Sequence, residues 1–547
     1  MAITTQQQQQ KMGLITVATV ITAYTFYRQL IKLSAMNDGT PVVPYSDSWK
    51  GSTIEFREDP VTFTKKWTEK LGLVYRIHLY GRIHTVASGK YAREVFMSDD
   101  FDFVVGTRKT FDMFGMAGII NHHQLVEETR KAIVQHVNPQ LKYYTPRVVE
   151  NLTIGLQDIL GDLTEPKEVS NIFPLIQRMV ARGSATVFVG EKLCQNDQIV
   201  SIMQNITTDI GKMHPRYHQS WLIKFPWMMK LYFKSIGMFS AEVKHQRKVI
   251  LDAITPEIEM RQANARNNPN WERPKDVLQE LIEINGPSYN NNNQKEFYTA
   301  MLDQLLVLIF ASVHTTSENG TIVISRLLQH PEVIDELLEE QDQVLRKAGL
   351  DPNQGNSVDL FTFEIIKNMP KLDSVCRESL RLRSQFYELA HTNIRNHNVV
   401  LSNGTVVPPD GDVLINVWHA HNMGEDDLTQ FKPFRFVNSR YPATKVSDQF
   451  LVFGEGKHSC PGRWFAIQEI KTIVSMLIRD YKLSAPEDII FPIAGERLPH
   501  GKWIQSFDRY NMTSSTTTTT TNAYKEQEQQ QQQQQEQEQE RQPLLRS

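Results

Sequence analysis

The sequence predicts a mostly α-helical fold with small β-sheets, one large globular domain between an N-terminal apolar segment and a polar tail. Three observations lead there. Residues 91–285 are mostly helical in pattern, and Phe297 to about Gln329 runs as one stretch without proline. From Trp464 to Ile478 the apolar Ala466, Ile467, Ile470, Ile473, Val474, Leu477 and Ile478 recur at helical spacing. Strand signals, by contrast, are short and local. At 547 residues with 40% hydrophobic content the chain can bury a core. Its formal net charge of −3 argues against nucleic acid as the main partner. Cys194, Cys376 and Cys460 are too few and too scattered for a disulfide framework, which fits a reducing compartment.

In chain order, residues 1–11 form a polar segment with a glutamine run, Gln6–Gln10. Residues 12–33 are apolar around Leu14, Ile15, Val17, Val20, Ile21 and Phe26, and reach membrane-spanning length by including Arg28, Gln29 and Lys32. We expect a retained transmembrane anchor, with a removed signal peptide as the competing reading. Arg28 and Lys32 on its C-terminal flank keep the rest of the chain cytoplasmic. The sequons at Asn151, Asn205, Asn319, Asn403 and Asn511 are then unmodified. Pro41 and Pro44 stiffen a hinge over 34–52, and the main domain is expected over 53–510. Val74–Leu79 and Arg82–Ala87 flank Tyr80-Gly81 as a β-hairpin. An apolar cluster from Trp221 to Phe233, interrupted by Lys224 and Lys230, is either a buried helix pair or a lid that dips into a bilayer.

Leu305 to Val313 is almost continuously apolar, so the 297–329 helix is expected to be buried on all sides. In its middle stand Phe310-Ala311-Ser312-Val313-His314-Thr315-Thr316. Thr315 can hydrogen-bond the carbonyl four residues back and loosen the helix, which any mid-helix threonine can also do without function. Pro331 starts another helix at the first-turn position proline favours. Glu378 and Arg381, three apart within Lys371–Leu382, share one helix face and can pair, as can many such pairs on surface helices. Val399–Leu401 and Val413–Ile415 read as strands lining a pocket, and Pro499–Trp503 as the start of a terminal hairpin. Residues 511–547, a threonine run and then glutamine/glutamate repeats, form a tail that cannot bury a core.

The most informative stretch is Phe453-Gly454-Glu455-Gly456-Lys457-His458-Ser459-Cys460-Pro461-Gly462-Arg463. A glycine-rich loop presents one cysteine just before a helix, where free N–H groups favour a thiolate, a soft ligand for iron. Alone, a single cysteine is as readily a small buried hydrophobe. His458 and Cys460 lack the second ligand pair that zinc requires. The pattern Phe453, Gly456, His458, Cys460 and Gly462 resembles the haem-binding loop of the cytochrome P450 superfamily, microsomal class. His458 stands in place of the usual arginine, a variant associated with fungal secondary-metabolism members.

The resemblance covers roughly residues 40–508 and implies haem b with iron ligated by Cys460, cofactor-binding roles for Phe453, Gly456, His458 and Gly462, and the P450 fold. Thr315 and His314 match the oxygen-activation helix, with His314 replacing the usual acid; the implied catalytic role is proton relay. Glu378, Arg381 and Arg435 match a Glu-Arg-Arg triad that locks the segment leading into the loop. A basic residue on an early helix faces the haem, with His122, His123 and Arg130 as alternatives, and His391 or Arg395 as further propionate contacts. The implied partners are NADPH–cytochrome P450 reductase, with cytochrome b5 as a second donor, docking near Lys457 and Arg463. The implied setting is the endoplasmic reticulum membrane, single-pass with a cytoplasmic catalytic domain, and the implied activity is monooxygenation of a lipophilic terpenoid, polyketide or alkaloid. His314 leaves open a haem-thiolate isomerase or dehydratase acting on a peroxide without NADPH, and a non-catalytic haem protein is the other alternative.

Overall fold

The computed structural model describes residues 37–47, 50–119, 122–169, 171–214, 226–286, 293–383, 385–424, 428–485 and 505–509. The expected segments 1–11, 12–33 and 511–547 lie outside these, as do Trp221–Phe225 and Pro499–Trp503.

Alternation and turn chemistry build the first hairpin. Strand β1 (Val74–Leu79) pairs antiparallel with β2 (Arg82–Ala87), Val74 opposite Ala87 and Leu79 opposite Arg82. Tyr80 and Gly81 both take positive φ, 51° and 73°, the turn sense whose twist suits a two-residue hairpin loop. The proline-bearing segment is tied to this sheet: Val43 N–H donates to Arg76 O, and Arg76 N–H to Pro41 O, each at 2.8 Å.

Two short strands follow, β3 (Phe101–Asp102) and β4 (Lys167–Val169), and later β5 (Tyr387–Asn393), β6 (Val399–Val400), β7 (Val406–Val407) and β8 (Asp412–Asn416). The larger sheet has the order β1-β2-β8-β5-β3, with β2 and β8 parallel. A bulge between Glu388 and His391 shifts the β5–β8 register, with Leu389 at φ 48°. β6 and β7 form their own two-stranded hairpin, while β9 (Tyr481–Ser484) and β10 (Gln505–Arg509) complete a sheet of order β4-β10-β9. Val413 and Ile415 are fully buried with Val74 and Ala87 inside the larger sheet's own core.

The remaining mass is helical. In chain order the helices that frame the site are α1 (His122–Ala132), α2 (Leu141–Leu160), α3 (Ile172–Phe188), α4 (Gln294–Gln329), α5 (Pro331–Lys347), α6 (Pro370–Arg381) and α7 (Arg463–Asp480). Both α5 and α6 begin on proline, whose missing N–H costs nothing in the first turn. Helix α4 packs against α1, α3, α6 and α7 and forms the axis of the main core. Leu305 through Phe310 are each at most 4% exposed, worth roughly 1.5–3 kcal/mol apiece in burial. A Cβ at Gly320 would lie 3.2 Å from the Ile176 methyl, so the glycine lets α3 and α4 approach closely. Helix α4 is also long and apolar enough to cross a membrane, but 61% of its apolar window is buried in the protein, as befits a core helix. The helix Pro226–Phe239 buries Phe233 and leaves Leu231, Met238 and Phe239 exposed.

Candidate active site

The loop entering α7 closes on itself. Cys460 N–H donates to Phe453 O at 2.8 Å, and the buried Phe453 ring stands edge-on to Phe450 at 6.3 Å. Gly456 sits at φ +64°, where a Cβ would also lie 2.7 Å from the Phe96 carbonyl, a backbone atom that cannot swing away. Gly462 occupies the N-cap of α7, with open space where its Cβ would be. Backbone hydrogen bonds from Gly462 and Arg463 reach the Cys460 sulfur, as a helix start should provide. Burial is nevertheless the larger influence and pushes the Cys460 thiol up, not down. The two N–H groups act in the expected direction, toward a thiolate, and burial opposes them more strongly. Taking the anion out of water costs more than two N–H groups return; a cation held there would favour the thiolate by its own charge.

Cationic and imidazole groups converge beside this loop. The His391 and His458 rings are 5.8 Å apart. Nδ1 of His391 lies 2.6 Å from the Leu389 carbonyl, a contact the β5 bulge makes possible, and His458 bonds the Phe101 carbonyl. Nε2 of both rings is buried without a partner among the described residues, as is Arg130 Nε. Burial, foremost, lowers His391 to about 4 and lowers His458; the Arg130 guanidinium adds to the lowering of His458 and of Arg463. Of the three early-helix alternatives, Arg130 is thus placed beside the cysteine loop; the side chains of His122 and His123 lie outside the described residues. Arg395 instead pairs with Asp100 at 2.6 Å.

The proximal cations are committed. Lys457 Nζ pairs with Asp99 at 2.6 Å, and Arg463 donates to the Thr444 and Cys460 carbonyls at 3.0 and 2.7 Å with its plane over Trp464. Sequence distance hid the Asp99 contact.

The Glu-Arg-Arg residues meet. Arg381 Nε and Nη2 donate to the two Glu378 oxygens at 2.8 and 2.9 Å, and Arg435 Nε joins Oε1 at 3.1 Å. Arg381 Nη1 also donates to the His421 and Leu428 carbonyls, and Lys432 N–H to Glu378 Oε1, tying α6 to the stretch before the loop.

On α4 the burial breaks once. Residues 301–310 and 316–325 are buried, while Ala311 and Thr315, one turn apart, are exposed and Ser312 and His314 half-buried. Thr315 Oγ donates to Ala311 O at 2.8 Å, the back-bond expected of it. His314 meets Glu318 one turn on, at 3.3 Å between Nε2 and Oε1. Sequence reasoning missed Glu318, although His and Glu four apart on one helix is a readable signal.

The family model described as Cytochrome P450 matches residues 41–496. The chain belongs to the cytochrome P450 family. Cytochrome P450 monooxygenase AN1598 of Emericella nidulans is 29% identical over 65% of this chain and 65% of its own length. Cytochrome P450 monooxygenase cdmJ of Talaromyces verruculosus is 26% identical over 80% of this chain and 82% of its own. The matched stretch spans just under two thirds of AN1598, and 63% of the hepE monooxygenase of Aspergillus oryzae. The solved structure of a retinoic acid bound cyanobacterial CYP120A1 shares the fold, with a TM-score of 0.61 at 22% identity over 86% of this chain and all of that one. Membership of the P450 family implies a haem held by a cysteine thiolate. The residues present fit that group: a soft sulfur donor, the Arg130 guanidinium to meet a carboxylate, two imidazole Nε2 atoms that would do so once protonated, and an opened patch of small side chains on α4.

Proposed function

We propose that this P450 is a haem-thiolate monooxygenase that oxidises a lipophilic small molecule in fungal secondary metabolism. One observation carries the reading: a half-buried Cys460 held by two helix-start N–H groups, in the same core as a helix whose buried middle, 301–325, opens around Ala311 and Thr315. Cys460 would ligate the iron, and Arg130, His391 and His458 would receive the propionates. When bound, the haem supplies the chemistry that activates O₂ for insertion into a C–H bond. Thr315 and His314 hold and move protons beside it, and the apolar lining from Phe114 and Phe310, 6.5 Å apart, excludes water. Glu378, Arg381 and Arg435 keep the loop in register.

Residues 12–33 anchor the chain in the endoplasmic reticulum membrane, with the 53–510 domain cytoplasmic. Exposed Leu231, Met238 and Phe239 suit contact with that bilayer. Electrons come from NADPH through cytochrome P450 reductase. The test is co-expression with that reductase: the ferrous–carbonyl absorption band should be the thiolate type, and NADPH should be consumed. A band of the imidazole type, or turnover of a peroxide with no NADPH requirement, would overturn the reading in favour of a different haem protein or an isomerase.

A further inference from the structure

One side-chain amide from outside the cysteine loop holds it. Asn138 Nδ2 donates to Pro461 O at 3.0 Å, and among the described residues no other donor reaches that carbonyl. A carbonyl only accepts, so the NH₂ end of the amide is the end that faces it. Asn138 Oδ1 is left buried without a partner among the described residues, although an orphaned acceptor costs stability. The backbone is constrained too. Asn138 stands at φ −60° and ψ −40°, the helical region that a following proline disfavours, and Pro139 follows. It comes directly after a π turn, Ile133–Val137, whose extra residue rotates the chain beyond it by about 100° relative to the phase of α1. An orphaned oxygen, a disfavoured backbone and a π turn thus accompany a single hydrogen bond.

That bond acts through the peptide that receives it. Pro461 C=O and Gly462 N–H belong to one planar amide group. Gly462 N–H is one of the two that reach the Cys460 sulfur. Asn138 therefore pulls on the oxygen end of the group whose hydrogen end meets sulfur. Hydrogen bonds in series polarise one another, by roughly 10–30% per bond. The shared plane also cannot tilt without weakening one bond or the other.

We propose that Asn138 is a positioning residue for Cys460: it orients and polarises the Pro461–Gly462 peptide and so strengthens the hydrogen bond from Gly462 N–H to the sulfur. The inference rests on the reading in which Cys460 ligates iron. A sulfur that shares its electron density with a stronger donor gives less to the metal, which favours the reduced state.

The experiment uses full-length holoprotein, wild type against Asn138→Leu, which keeps the volume and removes the donor. In Asn138→Leu the ferric-to-ferrous ratio at a fixed potential should rise about threefold, which is about 28 mV at 59 mV per tenfold for one electron. With carbon monoxide as the probe, the carbonyl stretching frequency of the ferrous form should fall. Neither readout needs turnover. Asn138→Ala, a smaller change, should shift both values in the same direction and decides the matter where Asn138→Leu does not retain haem. A lower melting temperature with both values unchanged is what a merely structural contact gives, and it overturns the proposal. So does a crystal structure of the wild-type holoprotein with Asn138 Nδ2 more than about 3.5 Å from Pro461 O. A wild-type ferrous–carbonyl band of the imidazole type overturns the thiolate reading and this inference together. A thiolate-type band with an unshifted potential overturns the inference alone.

Discussion

Arg381 turns its guanidinium edge onto Glu378 three residues earlier on the same helix, one donor to each carboxylate oxygen, at 2.8 and 2.9 Å. Glu378 is fully buried and also accepts from Arg435 and from Lys432 N–H. One carboxylate therefore accepts from two guanidinium groups where water is scarce. Glu378→Ala takes its carboxylate partner from the buried Arg381 and should cost roughly 3–5 kcal/mol. The expected outcome is protein that accumulates poorly and binds little or no haem, read from pigment per protein and thermal midpoint. A haem-replete, stable Glu378→Ala variant would show that the triad does not lock the loop.

Thr315 is exposed within a buried helix and back-bonds to Ala311 O at 2.8 Å. Removing its hydroxyl takes a hydrogen bond from that carbonyl and a polar atom from the opened patch. Thr315→Ala should keep haem and stability but divert NADPH consumption from product to released peroxide, by roughly tenfold or more. Parallel assays of NADPH, peroxide and product decide it, and unchanged coupling removes Thr315 from the proton route.

Much of this was legible in residues. Helix α4 announced itself because a proline-free run rich in leucine, valine and isoleucine has few alternatives to a buried helix, and it spans Gln294–Gln329. The cysteine loop was legible in part because Gly456 is forced: it has a positive φ, and a Cβ there would meet the Phe96 carbonyl. What escaped depends on burial and on long-range pairing. The thiol of Cys460 shifts up because of desolvation, which local spacing does not reveal. Asp99 meets Lys457 across 358 residues of sequence. Arg130 could not be separated from His122 and His123, since that choice depends on how α1 is turned toward the loop. His391 reaches His458 through a register shift at Leu389, a backbone event with no letter of its own.

Gly456→Ala tests the loop's backbone. The new methyl would have to hold φ near +64° and would meet the Phe96 carbonyl at 2.7 Å, so the loop must shift. A destabilisation of roughly 1–3 kcal/mol is expected, with haem lost more readily on dilution. Thermal melting of the two proteins, with absorbance followed in parallel, checks both. A melt identical to the wild type would mean that the loop tolerates rearrangement here.

Glu469, on α7, is 1% exposed and receives one long hydrogen bond, from Ser184 Oγ at 3.4 Å, while its Oε2 has no partner among the described residues. Burial holds its carboxyl well above the usual range. Such a group stays protonated in the native state over a window where the unfolded chain has already released its proton. Between about pH 4.5 and the raised native value the native state carries the extra proton, so stability falls as pH rises, by up to about 1.4 kcal/mol per pH unit. Glu469→Gln keeps the shape and removes the ionisation. Its stability should match the wild type near pH 4.5 and exceed it progressively toward pH 8, as measured by denaturant unfolding across that range. A constant difference at every pH would mean that Glu469 is already ionised in the folded protein, with a cation close to it.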